Sequence, residues 1–232
     1  MKIKNIFFVL CLACFACKAP LKLSNEQVEV ISLFNGENLD KWRGDPRIWS
    51  VEDGCIVGRT SDENQIKKNT FLIYENVFSD FELSFNYKII GGNSGVQYRA
   101  KVIDEDLFIV GGYQADMEAG TQHSGILYEE KGRGVLAKRG EVVIVDETGH
   151  KSVDQFANSE SIQKHIKNER WNNYRIVAHG NHLQHFINDY KTIDVIDKEI
   201  GKKSALGIIA LQVHKGPNME VFYKDIKITE RP

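Results

Sequence analysis

Four groups of side chains in this chain have the types and spacing to do chemistry. Gln97 and Arg99 share parity in Asn93-Ser94-Gly95-Val96-Gln97-Tyr98-Arg99, and Gln114, Asp116 and Glu118 share it in Gly111-Gly112-Tyr113-Gln114-Ala115-Asp116-Met117-Glu118. Gln212 and His214 are paired in the same way at the end of Gly207-Ile208-Ile209-Ala210-Leu211-Gln212-Val213-His214, and His182, Gln184 and Asn188 close a further run. Side chains alternate between the faces of a strand, so each group lies on one face while Val96, Tyr98, Tyr113, Ala115 and Met117 take the other. Singly, each group reads as a solvated face or a surface ion pair. Together, amides, carboxylates and a guanidinium suit a polyhydroxylated ligand, because every hydroxyl both donates and accepts hydrogen bonds. The expected site is a sugar-sized pocket on a curved sheet. Lys131-Gly132-Arg133-Gly134 has neither the spacing nor the following helix of a phosphate loop and reads as a loop beside that pocket, where Tyr128, Arg133 and Lys138 reach a ligand. Trp49, Tyr98 and Tyr128 are the aromatics suited to stacking on a sugar.

Other chemistries lack a signature. His179, His182 and His185 lie close together, but odd and even positions point to different faces of a strand, so no metal is expected there. A calcium held by backbone and Asp oxygens would leave no signal in the sequence. The Gly-x-Ser-x-Gly elbow, the His-Glu-x-x-His pair and the dinucleotide fingerprint do not occur, and no cofactor is expected.

The elements that must position these residues read as strands. Phe81 to Ile89 alternates strictly, and Gly91-Gly92 turns the chain into the next strand from Gly95 to Ala100. Asp53-Gly54 between two apolar runs marks a hairpin. Further strands are predicted at 112–117, 125–128, 142–146, 173–178, 183–187, 191–195, 205–212 and 220–229, with turns at Gly180-Asn181 and Asn188-Asp189. Only Val153 to Lys167 has any capacity for helix. Many strands without intervening helices imply an all-β sandwich of two antiparallel sheets, in one domain over residues 28–232.

The first residues differ. Lys2 and Lys4 precede an apolar run from Ile6 to Ala16 that ends at Cys17-Lys18, too short to span a bilayer and suited to an export signal over residues 1–17. A cysteine after small residues at the end of such a run suggests lipidation, at Cys17 in preference to Cys14. Residues 18–27 are a polar tether. The expected location is therefore exported, periplasmic or anchored to the outer membrane through the lipid alone. Only Cys55 remains outside the signal, which leaves no partner for an internal disulfide. In 232 residues, 42% hydrophobic and 27% charged side chains describe a globular domain, and a net charge of −2 gives nucleic acid no electrostatic footprint.

Six ordered segments resemble the 3-keto-disaccharide hydrolase family: Ser32 to Trp42, Asn93 to Arg99, Gly112 to Asp116, Gly125 to Tyr128, Glu169 to Asn172, and Gly207 to His214. The resemblance implies a concanavalin-like jelly roll in exported bacterial lipoproteins, acting on glycosides whose sugar a separate oxidoreductase has oxidised to the 3-ketone. That ketone acidifies the proton on C2, so a general base there permits elimination of the C1 substituent and addition of water, a net hydrolysis. On this reading Asp116 or Glu118 is the base, Arg99 with Gln97 stabilises the enolate oxygen, and His214 assists the leaving group. Gln114, Tyr128, Lys138, Asn188 and Gln212 contact substrate. An ordinary glycosidase with Asp116 and Glu118 as paired carboxylates, and a non-catalytic lectin-like module, are the competing readings.

Overall fold

The computed structural model describes residues 29–231. The expected signal, Cys17 and the whole of the tether lie outside them. Among the described residues there are seventeen strands and one short helix: β1 (Val30–Ser32), β2 (Trp42–Arg43), β3 (Trp49–Glu52), β4 (Cys55–Arg59), β5 (Thr70–Phe78), β6 (Phe81–Ile90), β7 (Asn93–Asp104), β8 (Ile109–Glu118), β9 (Leu127–Glu130), β10 (Gly134–Ala137), β11 (Glu141–Val145), β12 (Lys151–Gln155), α1 (Ser159–Gln163), β13 (Asn172–His179), β14 (His182–Ile187), β15 (Tyr190–Asp197), β16 (Gly207–Val213) and β17 (Glu220–Glu230). They form two sheets. One runs β12-β11-β15-β14-β13-β6-β17-β4-β3 with β1 also on β17, and the other runs β10-β9-β8-β7-β16-β5-β2. All pairings are antiparallel except β11 with β15. This is the jelly-roll sandwich.

The core follows from alternation. On β6, Phe81, Leu83, Phe85, Tyr87 and Ile89 are each 2% exposed or less, facing Val96, Tyr98, Tyr113, Ala115, Met117, Ile209, Leu211 and Val213 of the other sheet. Asp53 and Gly54, at φ 48° and 72°, make the expected hairpin turn, as do Asn188 and Asp189 at 49° and 68°. Strand β5 is absent from the sequence reading because Thr70 to Tyr74 is buried on both faces and shows no alternation. Its Phe71 and Ile73 join Val110 and Ala210 in a second, small apolar cluster on the outward side, beneath the far end of the β7–β8 hairpin. The expected helical region is mostly otherwise: residues 151–155 pair with β11, and only Ser159–Gln163, capped by the Asn158 side chain, is helical.

Candidate functional site

The site is built on the outward face of four neighbouring strands. Register sets Tyr128 opposite Gln114, Gln114 opposite Gln97, and Asp116 opposite Gly95. Leu211 pairs with Val96, which brings Gln212 beside Gly95. The three glutamines and the aspartate are joined: Gln97 Nε2 and Gln212 Nε2 donate to Gln114 Oε1, the latter at 2.9 Å, and Gln114 Nε2 donates to Asp116 Oδ1. Gly95 makes this possible, since a Cβ there would sit 2.6 Å from Gln114 Cγ. Turned over, the Gln97 amide nitrogen lies 3.1 Å from the carbonyl oxygens of both Gly112 and Tyr113, and its oxygen then accepts from Gln114 once that amide turns too. Such a reversal leaves Gln114 oxygen facing Asp116, which is favourable when Asp116 carries a proton.

Burial and charge both favour that proton. Asp116 is 6% exposed, and desolvation pushes its carboxyl up to about 8 from the usual 3.8. The Gln114 hydrogen bond opposes the shift, while the charges of Glu130 and Glu118 add to it. Above this floor a cleft of about 930 Å³ is rimmed by Tyr128, Glu130, Lys131, His123 and His214. Lys131 Nζ lies 3.7 Å from Glu130 Oε1. His214 Nδ1 lies 2.5 Å from the Lys215 carbonyl oxygen, so Nδ1 donates there and Nε2 is the nitrogen available to a ligand. Gln212 Oε1 is buried without a partner among the described residues, and Gln212, expected to contact substrate, does not line the cleft.

Several expected site residues are elsewhere. Arg99 is the main correction. Tyr98 pairs with Tyr113 and Lys101 with Gly111, so Arg99 and Ala100 together oppose Gly112 in a β-bulge, with Arg99 at φ 46°. The alternation that put Arg99 beside Gln97 is broken there. Its guanidinium instead donates to Ser79 O (2.8 Å), Gly180 O (2.6 Å), Ser204 O (3.3 Å) and Asp80 Oδ1 (2.8 Å). With no guanidinium beside it, the carboxylate at 116 is not held ionised.

Glu118 keeps its expected face but shapes a loop: its Oε1 accepts from the backbone amides of Gln122 and His123. Lys138 is exposed in the β10–β11 turn, outside the cleft. Asn188 belongs to the other sheet, where its side-chain amide donates to His165 O (2.7 Å) and Asn172 Oδ1 (2.8 Å). Trp49 and Tyr98 are in the core, and Arg133 is held by Glu129, Asp197 and Glu199. The three clustered histidines part company: His179 lies against Asp80, His182 against Asp194, and His185 is buried between the hydroxyls of Tyr98 and Tyr174. Among the described residues no group of three or more His, Cys, Asp or Glu is arranged to hold a metal ion.

Sequence reasoning missed Glu130, 7% exposed, and the rim residues His123 and Lys131. Glu130 had a usable signal, since it shares parity with Tyr128. His123 had none, because its place comes from the loop that Glu118 shapes and that Arg139 ties down through Thr121 O (2.9 Å) and Ser124 O (2.7 Å).

Solved structures share this fold at low identity. A candidate glycosyl hydrolase from Parabacteroides distasonis ATCC 8503 is 19% identical, with a TM-score of 0.56 over 88% of this chain and 100% of its own. A second from the same organism is 18% identical, with a TM-score of 0.57 over 88% and 94%. The carbohydrate-binding module CBM66 from Bacillus subtilis is 17% identical, with a TM-score of 0.54 over 83% and 98%. No curated protein sequence matches. The model of the 3-keto-alpha-glucoside-1,2-lyase-like domain matches residues 29–229, nearly everything the structure describes, and the chain therefore belongs to that carbohydrate-active family, the 3-keto-disaccharide hydrolases.

Proposed function

We propose that this protein cleaves glycosides bearing a ketone at C3, with Asp116 as the group that takes the C2 proton. The observation that carries the reading is a buried carboxyl at the floor of a sugar-sized cleft, titrating near 8. A base whose pKa lies near the working pH is both strong and substantially ionised. The C2–H electron pair moves into the enolate as the proton passes to Asp116. The enolate then re-forms the ketone as the C1–O bond breaks, and His214, as the imidazolium, protonates the departing oxygen through Nε2. Water adds to C1 of the enone, giving up a proton to His214, and Asp116 returns the proton to C2, so the net reaction is hydrolysis and both groups are restored. In place of Arg99, the Lys131 ammonium at the rim is the cation suited to the enolate oxygen.

The ketone requires a separate sugar 3-oxidoreductase upstream, and the apolar N-terminal run supports an exported, lipid-anchored location. A Cys17→Ala variant is expected to leave the membrane fraction.

A paired-carboxylate glycosidase is the second reading, favoured by one feature: Glu130 is another nearly buried carboxyl on the same face as Asp116. Matched glycosides with and without the 3-keto group separate the two. Cleavage of only the oxidised member supports elimination, cleavage of both supports the glycosidase, and binding without turnover supports a lectin-like module. Asp116→Asn is expected to lose about 10²–10⁴-fold in kcat on the keto substrate. Glu118→Gln is expected to keep most of it. Full activity in Asp116→Asn overturns the mechanism.

A further inference from the structure

Strand register gathers several connections at one end of the sandwich. Phe81 pairs with both Ala178 and Glu230, and Phe78 pairs with Gly207, so the β5–β6 turn, the β13–β14 turn and the β15–β16 connection lie there. The chain also enters the fold at that end, where Val30 of β1 pairs with Thr229. Among the described residues six large hydrophobic side chains are more than half exposed, and five of them are here: Ile200 (71%), Val30 (61%), Leu206 (59%), Val77 (54%) and Ile103 (51%). Scattered singly such side chains mean little, but gathered at one end they mark an interaction surface.

The β15–β16 connection is the most distinctive part of this surface. Lys198, Ile200, Lys202, Lys203 and Leu206 are all exposed along it. Among the described residues the lysines in ion pairs are Lys131 and Lys191, so these three have no carboxylate partner. The one acid of the connection, Glu199, is bound by Arg133. The adjoining β11–β12 turn contributes Asp146 and Glu147, fewer carboxylates than there are lysines. From beneath, Arg99 Nη1 donates to Ser204 O (3.3 Å), Ser204 N donates to the Tyr113 hydroxyl (3.2 Å), and Arg133 Nη1 donates to Glu199 Oε2 (2.8 Å). Three side chains from other elements thus fix a loop whose own aliphatic groups are left in solvent.

We propose, resting on the lipid anchor at Cys17, that this loop docks on a bilayer bearing anionic phospholipid, with Ile200 and Leu206 entering the headgroup boundary and Lys198, Lys202 and Lys203 meeting the lipid phosphates. Aliphatic groups flanked by lysines suit that surface, because the apolar part is buried at the interface and the ammonium groups gain from its negative potential. A lipid at Cys17 tethers the domain by the same end, since β1 begins there. Val213 pairs with Thr70 at the opposite end, so His214 and the leaving-group side of the cleft then face away from the bilayer, into water.

The full chain, purified with its lipid and reconstituted in vesicles of phosphatidylethanolamine and phosphatidylglycerol, tests this with a polarity-sensitive thiol label at one position at a time. Cys55 is buried and stays unlabelled. On Leu206→Cys the label's emission is expected to move to shorter wavelength and to be quenched by bromine-labelled lipid. On Leu107→Cys, an exposed leucine near Thr70 at the other end, it should keep its value in water. The shift at 206 should shrink on phosphatidylcholine vesicles and in the Lys198→Glu/Lys202→Glu/Lys203→Glu variant. A Leu206→Cys label that stays in water, equal shifts at both positions, or a shift indifferent to the charge reversal overturns the docking surface. If the purified chain carries no lipid, the anchor reading fails instead. The same labelled chains mixed with the vesicles then decide the surface: a shift at 206 alone supports it, and any other pattern overturns it.

Discussion

Asp116 carries a cost at neutral pH. Its carboxyl titrates near 8 in the fold and near 3.8 when exposed, so the native state holds a proton that the unfolded chain has already released. Between about pH 4 and pH 8 that difference removes stability as pH rises, by linkage. Asp116→Asn has no such proton to lose. Its melting temperature relative to wild type should rise from pH 5 to pH 8 and level off above, as thermal melts across that range will show. Catalysis runs the opposite way, because a base must be ionised: the limb of the wild-type kcat/KM profile that Asp116 sets should climb with pH up to about 8. The Gln114 hydrogen bond holds the carboxyl lower than burial alone would. Gln114→Met should therefore move that limb of the pH–rate profile to higher pH, at a stability cost of about 1–3 kcal/mol from the stranded amides of Gln97 and Gln212. A profile that stays in place argues that another group sets the limb.

At the level of elements, the site depends on two places where strand regularity is modified. Gly95 leaves the space that the Gln114 amide crosses, in ordinary backbone geometry, so a methyl group there displaces a flexible side chain and not the strand. Gly95→Ala is expected to lower kcat sharply while urea unfolding changes little. Loss of fold in that variant would mean that the amide row also holds the sheet. The bulge opposite Gly112 is the second place. A Cβ on Gly112 would meet Ala100 Cα at 2.6 Å, and the glycine has φ 152°. Parity could be followed from Asn93 to Tyr98 in the sequence, because nothing interrupts it there. It could not be followed past Tyr98, because a bulge is one extra residue and leaves no mark in hydrophobic periodicity.

Across the whole molecule, Arg99 is a tie and not a catalyst. It fastens the β5–β6 turn, the β13–β14 turn and the β15–β16 connection at one end of the sandwich. Arg99→Met should cost about 3 kcal/mol, since it strands buried carbonyls and the Asp80 carboxylate. Activity per folded molecule should be nearly unchanged, measured below the melting transition. Loss of kcat without loss of stability would return Arg99 to the site. The sequence alone determined the sandwich, the two hairpin turns and the shared face of Gln97, Gln114, Asp116 and Gln212, because strand alternation and turn chemistry are local properties carried by neighbouring residues. Tertiary structure decided that Arg99 leaves that face, that Glu130 and His123 join it, and that the Asp116 carboxyl holds a proton near neutrality. Those outcomes depend on bulge position, strand register and the depth of burial, which are set by residues far away in the chain.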